Sequence, residues 1–252
     1  MGGVQNIRTV DGMQKTVLFT FMALAIFIPP LGSMPISPSN QPRALILSST
    51  QNRSPMLYAD RLTTELKEAG YNVTFLSSND IGLNLFTATQ LDQYDIVIWR
   101  TDMYVLGNTT YWYLGEQNNE SYAGAIGIRT IAVSNGMLAV SEQFFSSNFL
   151  PNSLTHIKLA ILMSSMSITI AQTLIAAGVR TTIDLYQAID WTIAPPSLLD
   201  WATWSLVGYL TTGNDVNESI YKTIYNYEYA GSMSDSSLPP ISFLGDGNLQ
   251  IV

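Results

Sequence analysis

The sequence predicts an α/β fold of three layers, in which a mostly parallel sheet is covered by helices on both faces. The main observation is the segment Lys158 to Leu185, where an apolar run at 159–163, a stretch of helical length at 168–177 and a β-branched run at 179–185 follow one another. Apolar runs at 44–49 and 94–99, with helical patterns between them, repeat the alternation. Strands that alternate with helices are typical of a parallel sheet, and such folds place their chemistry at the carboxyl ends of the strands.

A membrane span is the alternative for part of this segment. Leu159 to Val179 carries no charge and is long enough to cross a bilayer. Its serines, threonines and Gln172 make it polar for a span, so a buried strand and helix are favoured.

Composition excludes several functional classes. The chain has 252 residues, a net charge of −8 and only 11 Lys plus Arg, which argues against a nucleic-acid partner. It has no cysteine and a single histidine, His156, so disulfides, thiolate catalysis, Cys or His-rich metal sites and two-histidine mechanisms are excluded. We expect no cofactor and no metal, and we expect His156 to be a structural or surface residue.

The N-terminus has the pattern of a targeting segment. An apolar run at 16–28 follows a polar stretch with two cations and ends at Pro29-Pro30, which predicts a signal peptide or a membrane anchor over residues 1–33. Residues 34–42 are rich in Pro and Ser and form a linker. The folded domain is predicted to occupy 43–252.

The first half of that domain contains three predicted strands and two predicted helices. The first helix starts at Ser54-Pro55 and stops at Gly70. In chain order, the other elements are strand 44–49, strand 72–76, a short helix at 87–93 and strand 94–99.

The stretch from Asp102 to Tyr122 shows no clear period, so we predict an ordered loop over the strand ends. Tyr111, Trp112 and Tyr113 could there form the walls of a ligand site, or pack as a local core. Asn135-Gly136 predicts the turn of a β-hairpin between 125–134 and 137–140.

After the central unit, helices are predicted from Ser197 to Thr211 and beyond Asp215, where Asp215 and Glu218 have capping-box spacing. The tail from Ile241 predicts two short strands around Gly245-Asp246-Gly247.

Five sequons favour export through a glycosylating pathway. Asn72 is the weakest, because its strand could be buried. The other acceptors are Asn52, Asn108, Asn119 and Asn217. We therefore expect an extracellular or cell-surface location.

Four stretches in this order resemble the caspase-like fold of the clan that includes caspases, gingipains, clostripain and CHAT domains. KLAILMSSMS is similar to the strand that carries the family's nucleophile, and TLIAAGVRTTIDLYQAIDW to the following helix and strand. SLVGYLTTGNDVNESIYKTI is similar to the later helix pair, and FLGDGNLQIV to the closing turn of the gingipain-like branch. The resemblance extends from Arg43 to the C-terminus and implies a peptidase-like domain.

The family's catalytic residues do not carry over. Ser165 stands at the position of the nucleophilic Cys, and Arg100, Thr101 and Asp102 stand where the resemblance implies a His-Gly pair. His156 lies at the opposite end of the strand before Ser165, roughly 30 Å away if extended, so it cannot serve as the base.

Three hypotheses follow. The first is a secreted or surface-anchored, non-catalytic caspase-like domain that binds a peptide, glycan or surface protein, with Arg100 and Asp102 orienting a polar ligand between the three aromatic walls. A salt bridge at the sheet rim is the structural alternative for these two residues. The second hypothesis is a self-associating subunit of a surface assembly, and the third is a divergent hydrolase that uses Ser165.

Overall fold

The alternation of strands and helices builds two β-sheets. The computed structural model describes residues 41–50, 56–117, 130–164, 167–185, 196–229 and 241–252, which all belong to one unit, Asn40–Val252. The strands are Arg43–Ser49 (β1), Asn72–Ser77 (β2), Ile96–Thr101 (β3), Met103–Leu106 (β4), Thr109–Gln117 (β5), Ile131–Ser134 (β6), Met137–Ser141 (β7), Leu159–Met163 (β8), Thr181–Leu185 (β9) and Ile241–Gly245 (β10). The α-helices are Ala59–Glu68 (α1), Ala88–Leu91 (α2), Glu142–Asn148 (α3), Ile168–Ala176 (α4), Pro196–Thr211 (α5) and Val216–Tyr229 (α6), and two 3-10 helices lie at Ser78–Asp80 and Leu83–Phe86.

The main sheet has six strands in the order β10-β9-β8-β3-β1-β2. Five neighbouring strands of this sheet are parallel to one another: β2, β1, β3, β8 and β9. The sixth strand, β10, pairs antiparallel with β9 at one edge. The predicted α/β class is therefore confirmed, with a sheet that is mixed at its edge.

Helices cover both faces of this sheet because side chains alternate along each strand. In β1, Ala44 and Ile46 pack with α1, α5 and α6, whereas Leu45 and Leu47 pack with α2, α3 and α4. Each fully buried aliphatic side chain of this kind contributes about 1.5–3 kcal/mol to the free energy of unfolding.

The central strand–helix–strand unit forms as β8, α4 and β9. The alternative of a membrane span over 159–179 is not what the structure has, because α4 is only nine residues long and follows a strand. Among the described residues, no helix combines the length and the apolar character needed to cross a membrane. The targeting segment at 1–33 and nearly all of the linker at 34–42 lie outside the described residues.

The region predicted as a loop after Asp102 forms strands instead. β4 and β5 form an antiparallel hairpin, and β5 pairs with β7 in a second sheet of order β4-β5-β7-β6. The prediction was wrong because residues 111–115 of β5 are buried on both faces, so no alternation of apolar and polar residues shows in the sequence.

The predicted hairpin at Asn135-Gly136 is confirmed. β6 and β7 pair antiparallel, and both turn residues have positive φ, 52° and 78°, as a type I′ turn requires. The predicted helix cap is also present, since the main-chain N–H of Glu218 donates to Asp215 Oδ1 at 2.8 Å.

The C-terminal tail has one strand where two were predicted. Beyond β10, main-chain carbonyls accept from the start of α6: Val216 N–H donates to Leu249 O, and Asn217 N–H donates to Gly247 O. The carbonyl groups of Gly247 and Leu249 are hydrogen-bonded to α6 and are not available for strand pairing. Leu249 and Ile251 are buried, so the tail packs on the core without forming a second strand.

Candidate functional site

The carboxyl ends of the five parallel strands meet at one edge of the main sheet. β1 has β2 on one side and β3 on the other, so the chain's winding direction reverses beside β1. Open α/β sheets bind ligands outside such a reversal. The polar residues at this edge include Ser48, Ser77, Arg100 and Ser164.

Arg100 is engaged in a buried ion pair. Its Nε lies 2.9 Å from Asp200 Oδ1, and the two side chains are 6% and 0% exposed. Asp200 Oδ2 also accepts from the main-chain N–H of Leu57 at 2.8 Å. Burial raises the pKa of Asp200 to about 6, while Arg100 and the Leu57 N–H act in the opposite direction. This pair joins β3, α5 and the segment before α1, which leaves little of Arg100 to contact a ligand.

Asp102 connects the two sheets through its main chain. Its N–H donates to Ser49 O at 3.4 Å, and its carbonyl accepts from Tyr113 N–H at 3.1 Å. The residue is half-buried at the junction of β3 and β4. Ser165, the residue at the nucleophile position, lies outside the described residues.

The three aromatic residues predicted as walls of a ligand site are buried instead. Trp112 belongs to the core on the face of the main sheet that α2, α3 and α4 cover. Tyr111 and Tyr113 pack with Tyr104 in a separate small cluster of the second sheet. Tyr113 Oη also bonds with Ser134 Oγ at 2.8 Å. The local-core alternative therefore holds, because β5 is enclosed on both faces.

An open cleft of about 600 Å³ lies at the carboxyl ends of β1 and β2. Two exposed apolar side chains line it, Leu57 at 46% and Phe75 at 41%. The remaining lining residues are Ser48, Met56, Tyr58, Ala59, Asp60, Arg61, Ser77 and Ser78. Sequence reasoning missed this cleft; the rule of carboxyl strand ends, applied to β1 and β2, could have pointed to Ser48 and Ser77.

One wall of the cleft is held by stacked aromatic rings. Tyr58 stacks on Trp204 of α5 with ring centroids 5.3 Å apart. The guanidinium of Arg61 lies 5.1 Å from the centroid of Trp204 and 5.5 Å from that of Tyr58. The guanidinium of Arg61 interacts with the faces of both rings and holds this wall in place, while its charge is not buried.

The described sequons lie at the surface. Asn72 is exposed at the start of β2, contrary to the expectation that its strand could bury it. Asn108 lies in the turn between β4 and β5, and Asn217 lies in the first turn of α6, both exposed. Asn52 and Asn119 lie outside the described residues.

His156 is an exposed residue whose Nδ1 lies 2.7 Å from Asp92 Oδ2. The hydrogen bond with Asp92 raises the pKa of His156. Since His156 precedes β8, it lies at the amino end of that strand, away from the edge that carries the cleft. Within the described ranges, no three His, Cys, Asp or Glu side chains come together as a metal site.

Comparison with known proteins identifies no family. No family model matches the chain, and no curated protein matches it. A solved structure of D. melanogaster Ssu72 with Symplekin, bound to a cis peptidomimetic CTD phosphoserine peptide, is similar to this chain at 10% identity with a TM-score of 0.30. That match covers 83% of this chain and 100% of the other. A likeness this weak carries no argument about fold or function.

Proposed function

We propose that this protein is a secreted or surface-anchored, non-catalytic caspase-like domain that binds an extended peptide in the cleft beside β2. The observation that carries the proposal is the cleft itself, which places exposed Leu57 and Phe75 at the carboxyl edge of a parallel sheet. Apolar side chains held in a concave site are the usual anchors for a ligand.

The edge position of β2 favours a peptide over other ligands. β2 is the last strand of its sheet and, among the described residues, pairs only with β1. Its sequence, NVTFLS, has none of the charges or prolines that usually protect an edge strand. An extended peptide can add to such an edge through main-chain hydrogen bonds while alternate side chains enter a neighbouring pocket.

Phe75 connects this edge to the cleft. Val73, Phe75 and Ser77 alternate along β2, and Phe75 and Ser77 line the cleft. A peptide paired with β2 would therefore direct every second side chain towards the Leu57 side of the cleft. We expect an apolar residue at that position of the peptide.

Three observations support the rest of the proposal. The three-layer, mostly parallel sheet is of the α/β class that the caspase-like resemblance implies. The ion pair of Arg100 with Asp200 and the remote position of His156 support a site without acid–base catalysis. The N-terminal pattern and the exposed sequons support export.

The test is selection of peptides from a random library on the full protein, followed by affinity measurements with Phe75→Ala and Leu57→Ala. We expect each substitution to weaken binding at least about tenfold, as the loss of an apolar anchor does. Leu106→Ala is the matched control, because Leu106 is equally apolar, 62% exposed and located in the β4–β5 hairpin outside the cleft. Equal affinities for all four proteins, or no selected peptide, would refute the site.

N-methylated peptides test the strand pairing separately. Main-chain amides that point towards β2 alternate along the peptide, so methylation should weaken binding at every second position only. A uniform effect would mean that the peptide fills the cleft without adding to the sheet.

Peptide-library cleavage, read by mass spectrometry for the wild type and Ser165→Ala, tests the non-catalytic part. We expect no cleavage by either protein. Cleavage by the wild type alone would make Ser165 a nucleophile and support the divergent-hydrolase alternative.

One surface favours the alternative of a self-associating subunit. Tyr221 and Tyr225 are exposed on α6 and stack with centroids 6.0 Å apart. Solution mass over a concentration series, with Tyr221→Ser as the variant, tests it: a dimer or larger species lost in the variant would support assembly through α6.

A further inference from the structure

Asp184 is a buried carboxyl group near the carboxyl end of β9. It is 3% exposed and lies in register with Leu162 of β8 and Ser242 of β10. Its neighbours Ile183 and Leu185 face α5 and α6, so Asp184 faces α4 on the other side of the sheet.

The described elements around Asp184 provide no counter-charge. β8 (LAILM), β10 (ISFLG) and α4 (ITIAQTLIA) contain no charged or titratable side chain. The amino end of α4 contributes only the partial positive charge of a helix terminus. Burial raises the pKa of Asp184, whereas a hydrogen bond donated by Ser167 to the ionised carboxylate would act in the opposite direction.

The two contacts of the Ser167 hydroxyl favour the presence of a second proton. Ser167 Oγ lies 2.9 Å from the carbonyl oxygen of Ser164 and also contacts Asp184 Oδ1. A carbonyl oxygen only accepts, and a serine hydroxyl has one proton to donate. If Asp184 were ionised, the single Ser167 proton would have to be shared by two acceptors in a three-centre hydrogen bond, which is weaker than two separate bonds. A neutral carboxylic acid satisfies both contacts.

We propose that Asp184 is a neutral acid in the folded protein at neutral pH, and that it donates to Ser167 Oγ, which donates to Ser164 O. This chain, the Asp184 latch, connects the end of β8 to the start of α4 on both sides of residues 165 and 166. Asp184 is thus a positioning residue for the start of α4 relative to the end of β8. Deprotonation leaves a buried charge and only the Ser167 proton for the two contacts, so the latch responds to pH.

Infrared difference spectroscopy of the full protein tests the protonation state directly. At pH 7.5, the carbonyl stretching band of a protonated carboxylic acid should be present in the wild type and lost in Asp184→Asn. Asp246→Asn is the matched control, because Asp246 is paired with Arg180, which lowers its pKa, and its substitution should remove only carboxylate bands. Loss of carboxylate bands instead of an acid band in Asp184→Asn would overturn the proposal.

Ser167→Ala keeps the test decisive if Asp184→Asn fails to fold. It retains the acid but removes its acceptor, so the acid band should persist and shift to higher frequency. An unshifted spectrum, or one with no acid band in either protein, would overturn the latch.

The pH dependence of unfolding gives a second, independent measurement. The folded-state pKa of Asp184 lies above its unfolded value of about 3.9. As pH rises between those two values the folded state retains a proton that the unfolded state loses, so the wild type loses stability. Relative to Asp184→Asn, its folding equilibrium constant should fall up to about tenfold per pH unit in that window and then level off. A ratio that is flat, or that rises with pH, would mean that Asp184 is ionised in the folded protein.

Discussion

Gly115 provides the sharpest test of how the second sheet supports the cleft. Its φ is +99°, and a Cβ atom at this position would lie 2.2 Å from the main-chain oxygen of Ser78 and 2.7 Å from its carbonyl carbon. Ser78 lines the cleft and begins the 3-10 helix after β2. The side chain of Gly115→Ala therefore needs space that main-chain atoms occupy.

The expected loss of stability in Gly115→Ala combines two costs. The left-handed backbone costs a non-glycine residue about 1–3 kcal/mol. Displacing packed main-chain atoms costs about 1–3 kcal/mol more. We expect the sum, about 4 kcal/mol, to be a large share of a total stability of about 5–15 kcal/mol.

Urea unfolding followed by tryptophan fluorescence measures this loss. Gly107→Ala is the matched control, because Gly107 also has a positive φ, +64°, but no atom of the described residues lies within 4 Å of the added Cβ. It should lose only the backbone cost of about 1–2 kcal/mol. If the two variants lose the same stability, the close approach of β5 to Ser78 is not what requires glycine at 115.

Two further predictions concern ion pairs. Asp200→Ala removes the carboxylate that pairs with the buried Arg100 and should cost about 3–5 kcal/mol. Arg100→Met combined with Asp200→Leu should cost clearly less than the sum of the single changes, and additive costs in a double-mutant cycle would contradict the pair. His156 has a raised pKa through its bond with Asp92, so its stabilising contribution is complete below the unfolded value of about 6.5 and is lost as pH rises through the folded value. Because His156 is exposed, that contribution should stay below about 1 kcal/mol; NMR titration should give a pKa that falls in Asp92→Asn, and an unchanged pKa would contradict the contact.

The main sheet could be predicted from local patterns because its strands are short apolar runs between strong stop signals. The predicted strand at 159–163 and the helix beginning at Ile168 correspond to β8 and α4. The Asn135-Gly136 turn could also be predicted from local sequence, because these two residue types readily adopt the positive φ that the turn requires.

The candidate site could be predicted only in part, because it depends on which strands lie side by side. The reversal beside β1 follows from the strand order, and no local pattern specifies that order. Asp200 is 100 residues from Arg100 in the sequence, so the ion pair could not be inferred from spacing. The same limit explains why the sequence left open whether Tyr111 and Tyr113 form ligand walls or a local core, since they are buried through side chains of β4 and β6, which belong to the same sheet.

The polar groups at the carboxyl edge of the main sheet are largely satisfied by one another. Arg100 is neutralised by Asp200, and Ser167 bonds with Asp184 and Ser164. The cleft beside β2 is lined by exposed side chains, the apolar Leu57 and Phe75 and the polar Asp60, Arg61 and Ser77. Under the proposed function, Leu57 and Phe75 would anchor a peptide that pairs with the edge of β2.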